Sequence, residues 1–88
     1  MLTFPQLHTL VEQRLMAELS PTFLEIEDES HFHQGHAGAK NGGKHIKIKI
    51  SSAQFAHKNI LMRHRLVYAA LANFIGKEIH AVRVDASM

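Results

Sequence analysis

Hydrophobic and polar positions follow two different rhythms along this chain, and each change of rhythm marks an element. Between Thr3 and Leu19, the apolar residues Phe4, Leu7, Leu10, Val11 and Leu15 recur at helical spacing, which predicts an amphipathic helix over residues 3–19. Thr3 followed by Gln6 is a capping-box pattern, and Pro5 falls in the first turn, where its missing N–H is tolerated. Ser20-Pro21 stops the helix, because proline cannot continue the hydrogen-bond ladder. The period then drops to two. In FLEIEDE, Leu24 and Ile26 alternate with Glu25 and Glu27; in KHIKIKIS, Ile46, Ile48 and Ile50 alternate with Lys47 and Lys49. Both read as half-buried strands. Antiparallel pairing sets the glutamates near the lysines on the open face, and this neutralisation accounts for the lysine stripe more simply than nucleic-acid contact does.

Ser52 to Met62 reads as a short helical or turn segment, with Asn59 as the cap of the helix that follows. Ile60, His64, Val67, Leu71 and Phe74 advance by alternating fours and threes, a face aimed at a core, and Gly76 ends that helix. EIHAVRVDA is a third strand. A helical crossover between neighbouring strands makes the third strand parallel to the second. The expected fold is therefore α+β, in the order α-β-β-α-α-β, with a three-stranded mixed sheet covered on one face by helices. Leu24, Ile26, Ile46, Ile48, Ile50, Val82 and Val84 should face the helices. Residues 1–88 make one domain, with a core over about residues 3–85 and a frayed end at 86–88.

Composition narrows the function classes. A chain of 88 residues has room for one small core. Cysteine is absent, which removes disulfides, thiolate ligands and cysteine nucleophiles, and favours a reducing cytoplasm. No basic start with an apolar run opens the chain, and no stretch has the length of a membrane span. The formal charge is only +2, which permits nucleic-acid contact without demanding it. No paired carboxylates and no nucleophile–base set can be proposed, so the chain reads as a non-enzyme.

The eight histidines are the unusual feature, and four of them lie in SHFHQGHAGAKNGGKH, between Ser30 and His45. Gly38 to Lys44 spells G-x-x-x-x-G-K, but His45 replaces the metal-binding hydroxyl and a strand follows instead of a helix, so the loop is not a phosphate cradle. Gly35-His36-Ala37-Gly38 spells the G-x-x-G clamp, yet it joins strands rather than helices. His31, His33 and His36 place imidazole donors within six residues, suited to a borderline metal. Solvated loop histidines are the other reading, because a glycine-rich loop holds ligands loosely. The loop from His31 to Gly43 is expected to be the most mobile segment. If the third strand runs parallel to the second, His80 returns to the end of the sheet where the loop finishes. A loop histidine with His80 then makes an open half-site that a partner must complete.

LSPTFLEIEDES, RHRLVYAAL and IHAVRV together resemble the BolA family, over about residues 5–85. The resemblance implies a KH-like fold of the second class and an adaptor rather than an enzyme. It implies a monothiol glutaredoxin as partner and a shared 2Fe-2S cluster, with cysteine and glutathione coming from the glutaredoxin side. On that pattern the cluster ligands of this chain are His80 and His33, with His31 and His36 as alternatives for the loop ligand, and no cofactor is expected in the isolated protein. Bacterial members are also described as DNA-binding transcriptional regulators, which assigns a nucleic-acid role to Lys58, Arg63 and Arg65. His64, the signature residue of the Arg63–Tyr68 block, reads as a packed structural histidine. The implied setting is cytoplasmic, with a free chain that is a monomer or weak dimer.

Overall fold

The computed structural model describes residues 2–30 and 44–88. In chain order it contains α1 (Phe4–Leu19), β1 (Phe23–Asp28), β2 (Lys44–Ser51), a single 3-10 turn (Ala53–Phe55), α2 (Ile60–Ala70) and β3 (Ile79–Ser87). The loop singled out for mobility, with His31, His33 and His36, lies outside the described residues.

The helix α1 starts as its capping box dictates. The Thr3 hydroxyl oxygen accepts the Gln6 N–H at 3.3 Å, and the Gln6 side-chain carbonyl accepts the Thr3 N–H at 2.9 Å. Its buried stripe is Leu7, Val11, Leu15 and Leu19, while Leu10 falls on the flank and stays exposed. The helix closes on Ser20 in the left-handed region, with φ 43°, its N–H bonded to the Met16 carbonyl.

β2 is the centre of the sheet, antiparallel to β1 and parallel to β3. Ile46, Ile48 and Ile50 turn inward and are at most 1% exposed, with Ile26 buried and Leu24, Val82 and Val84 packed against the same core. Every inward strand position follows the alternation read from sequence. On the other face Glu25 stands opposite Lys49, and Glu27 opposite Lys47, so each lysine of the stripe has a glutamate at the facing register position.

Four expectations need correction. Of the two readings of the segment before Asn59, helical or turn, the turn is the one that forms, so a single 3-10 turn takes the place of the middle helix in the expected element order. α2 ends at Ala70, not at Gly76, because the Leu71 N–H divides between the carbonyls of Val67 and Tyr68 and the chain tightens into turns. Phe74 remains half-buried because its N–H and that of Ile75 both bond back to the Leu71 carbonyl. Gly76, with φ +86°, instead closes the turn into β3 through an N–H bond to the Ile79 carbonyl. Ile60 is 67% exposed, since core contact on α2 begins only in its second half, at Leu66 and Val67. Finally, the chain end is paired: β3 continues to Ser87, whose carbonyl accepts the Ser52 N–H at 3.3 Å.

Ser52 ties the layers together. Its buried hydroxyl donates to the Leu19 carbonyl at the end of α1 and accepts the Gln54 N–H. Ser52→Ala should therefore lower stability by about 1–3 kcal/mol, since it strands a buried carbonyl and uncaps the turn. Urea unfolding of the variant should show the loss as an earlier midpoint at unchanged slope.

Candidate functional site: a histidine pair at the sheet end

Both ends of the histidine-rich loop are pinned at one end of the sheet. Asp28 accepts the Ser30 N–H at 2.9 Å, and the Ser30 hydroxyl accepts the His45 N–H at 3.0 Å. The Glu29 N–H bonds the His45 carbonyl at 2.7 Å, and the Lys44 N–H bonds the Glu78 carbonyl at 3.0 Å. The segments entering and leaving the loop are thus one hydrogen bond apart, and β3 begins beside them.

The β2–β3 register slips at this point. Lys44 pairs with Ile79 and His45 with Ala81, which leaves His80 as the extra residue of a bulge. His80 is exposed, and its ring lies against that of His45, with centroids 5.0 Å apart and planes tilted by 47°. His45 is only 9% exposed, although alternation puts it on the open face with Lys47 and Lys49. Beside the pair is a shallow cleft lined by Glu29, His45, Ile46, Ala81, Val82 and Arg83. Glu29 and Arg83 form an ion pair across it at 3.7 Å. Glu78, two residues before His80, has a buried carboxylate oxygen with no hydrogen-bond partner among the described residues.

His80 therefore stands where the parallel crossover was expected to bring it. His45 is the residue that sequence reasoning missed, having been read only as the residue that spoils a phosphate motif. The loop candidates His31, His33 and His36 lie outside the described residues. Among the described residues, no group of three or more His, Asp or Glu side chains is gathered closely enough to hold a metal ion. An exposed imidazole fits an iron ligand, which needs a reachable lone pair; His80 meets that condition and the shielded His45 nitrogens do not.

The cations assigned to nucleic acid are not alike. The Arg63 guanidinium donates to the Lys58 carbonyl at 2.9 Å and the Ala86 carbonyl at 3.2 Å, fastening the start of α2 to the end of β3. The Lys58 ammonium donates to the Gln54 carbonyl at 2.8 Å, whereas Arg65 is exposed. His64 is half-buried and meets Tyr68 edge-on at 6.3 Å. No helix among the described residues is long and apolar enough to cross a membrane.

The comparisons with known proteins agree with this architecture. The family model described as BolA-like protein matches residues 15–88, and the chain belongs to that family. It is 39% identical over 77 residues to a bolA-like protein of Caenorhabditis elegans, covering 88% of this chain and 68% of that one. It is 36% identical over 72 residues to the DNA-binding transcriptional regulator BolA of Escherichia coli, covering 82% of this chain and 66% of that one. The chain thus spans about two thirds of each of these relatives. Among solved structures, the BolA domain of SufE1 from Arabidopsis thaliana superposes with a TM-score of 0.78 at 34% identity, covering 90% of this chain and 87% of that one.

The two arginines on α2 should separate by stability. Arg63→Met should cost about 1–3 kcal/mol in urea unfolding, because it frees two carbonyls from a charged donor. Arg65→Ala should stay within about 0.5 kcal/mol of the parent chain, as an exposed substitution.

Proposed function

We propose that this BolA-like chain is an adaptor that binds a monothiol glutaredoxin and shares ligation of a 2Fe-2S cluster, acting in iron–sulfur cluster delivery or in iron and redox sensing in the cytoplasm. The observation that supports the reading best is the exposed His80 at the bulge, beside both anchored ends of a loop that carries three further histidines. The chain offers imidazole and has no cysteine, so the thiolates of such a centre come from the partner and its glutathione. Histidine in place of cysteine on a cluster iron raises the potential, which suits transfer or sensing. The chain's own part is to present His80, with His33 or its neighbours His31 and His36, from one end of a rigid sheet.

The test is reconstitution. Mixing the protein with a monothiol glutaredoxin, iron, sulfide and glutathione should give a visible circular dichroism spectrum distinct from that of the glutaredoxin alone. His80→Ala should abolish that distinct spectrum while the fold is retained. His33→Ala should do less where His31 or His36 can substitute. An unchanged mixed spectrum with His80→Ala would sink the reading.

The name of the Escherichia coli relative supports a second reading, a small DNA-binding regulator. Three candidate cations, two of them also engaged with backbone carbonyls, support only weak phosphate binding. Affinity for duplex DNA should then fall with salt on a log–log slope no steeper than about −3. A steeper slope, or sequence selectivity that survives changing Lys58 and Arg65 together, would favour the regulator.

A further inference from the structure

Resting on the half-site reading above, we propose that His45 is the positioning residue of His80, its buried ring serving as the platform that fixes the direction of the exposed imidazole. Four observations lead there. His80 is the bulged residue and has no partner opposite it on β2, so the ladder itself does not hold its side chain. His45 is fixed on both sides of its Cα, its N–H bonded to the Ser30 hydroxyl and its carbonyl to the Glu29 N–H. The two rings lie 5.0 Å apart, within the range at which aromatic rings set each other's orientation. The ring nitrogens of His45 are shielded from solvent while His80 is exposed, so the two rings divide the work: one is held, the other is offered.

The arrangement explains how a ligand can sit on a strand end and still point one way. A side chain on an irregular strand start rotates freely unless something packs on it, and ligating imidazoles depend on neighbours that fix their ring plane. Here the neighbour is a second imidazole ring, contributed by the strand that also receives the loop. What His45 supplies to His80 is a flat ring at that depth.

The experiment uses the full chain, isotopically labelled, without cluster or partner for its first readout. Side-chain carbon couplings of His80 report its χ1 rotamer, and its ring-proton shifts report the ring current of the neighbour at residue 45. In the parent chain and in His45→Phe, a single rotamer and displaced ring-proton shifts are expected. In His45→Leu the couplings should average and the shifts move to those of a free imidazole. The second readout is titration of glutaredoxin loaded with iron, sulfide and glutathione, followed by visible circular dichroism. His45→Phe should match the parent, and His45→Leu should require roughly tenfold more protein for the same signal. His80 couplings that stay fixed in a folded His45→Leu would overturn the proposal. So would a folded His45→Phe that loses the mixed spectrum or the single rotamer, because His45 would then be needed for its nitrogen. Should His45→Leu fail to fold, His45→Phe alone decides. Failure of the half-site reading itself would show differently, as a mixed spectrum that survives His80→Ala with the rotamer result unchanged.

Discussion

The parallel pairing of β2 with β3 is the constraint on which the rest of the molecule depends. Two neighbouring strands can run parallel only if the chain between them returns along the sheet to its starting end. Residues 52–78 make that return on the helix side, and in doing so they carry Phe55, Val67 and Leu71 onto the isoleucines of β2 and the buried stripe of α1. One connection thus closes the core and also places the start of β3 beside the start of β2. Burying each of these large apolar side chains is worth about 1.5–3 kcal/mol, so the pairing is held by the core rather than by the ladder alone. The proximity of His80 to the loop ends is a consequence of this geometry, and it comes at no separate energetic expense.

The strands were legible because their period is two and only one face is buried. A slip of one residue would put Lys47 and Lys49 into the core, which fixes the register from sequence alone. α1 was legible for a similar reason, since a capping box, an apolar stripe and a following proline all agree. α2 was over-read at both ends. The apolar spacing continues to Phe74, but spacing cannot tell bonds to the fourth residue back from bonds to the third, and the chain changes from one to the other at Leu71. At the other end Ile60 continues the stripe, yet its exposure depends on where the core stops, which is a property of the assembled layers.

The site was half legible. His80 followed from topology, because a crossover brings a predictable strand end back to a predictable place. His45 did not follow, since alternation put it among outward lysines and a bulge leaves no mark in a single sequence. Its ring meets that of His80 where the ladder slips by one residue, a contact that spacing alone does not announce. The resemblance to the BolA family pointed to His80 and to the loop but not to the pair, which only the folded chain brings together. The bonds that Arg63 makes were also out of reach of the sequence, because one of its acceptors, the Ala86 carbonyl, lies 23 residues further on.

Charge and edge chemistry together make the uncovered sheet face and the outer edge of β3 poor docking surfaces. On the uncovered face, the row Glu27, Lys47, Arg83 is balanced by the row Glu25, Lys49, Asp85, so this surface presents no continuous field of one sign to a polyanion. At the outer edge of β3, the bonds Lys44 N–H to Glu78 and Ser52 N–H to Ser87 set the phase of the ladder. Across the bulge that phase turns the backbone groups of Val82, Val84 and Ala86 away from β2. An edge of this kind invites another strand unless it is covered. Here α2 covers it with its own donors: the Tyr68 hydroxyl reaches the Val82 carbonyl at 3.5 Å, and the Arg63 guanidinium reaches the Ala86 carbonyl at 3.2 Å. A strand from another protein would have to displace both donors, and losing the Arg63 bonds would loosen the start of α2 as well. Among the described residues His80 carries no such cover, and its imidazole stays exposed at the end of the sheet.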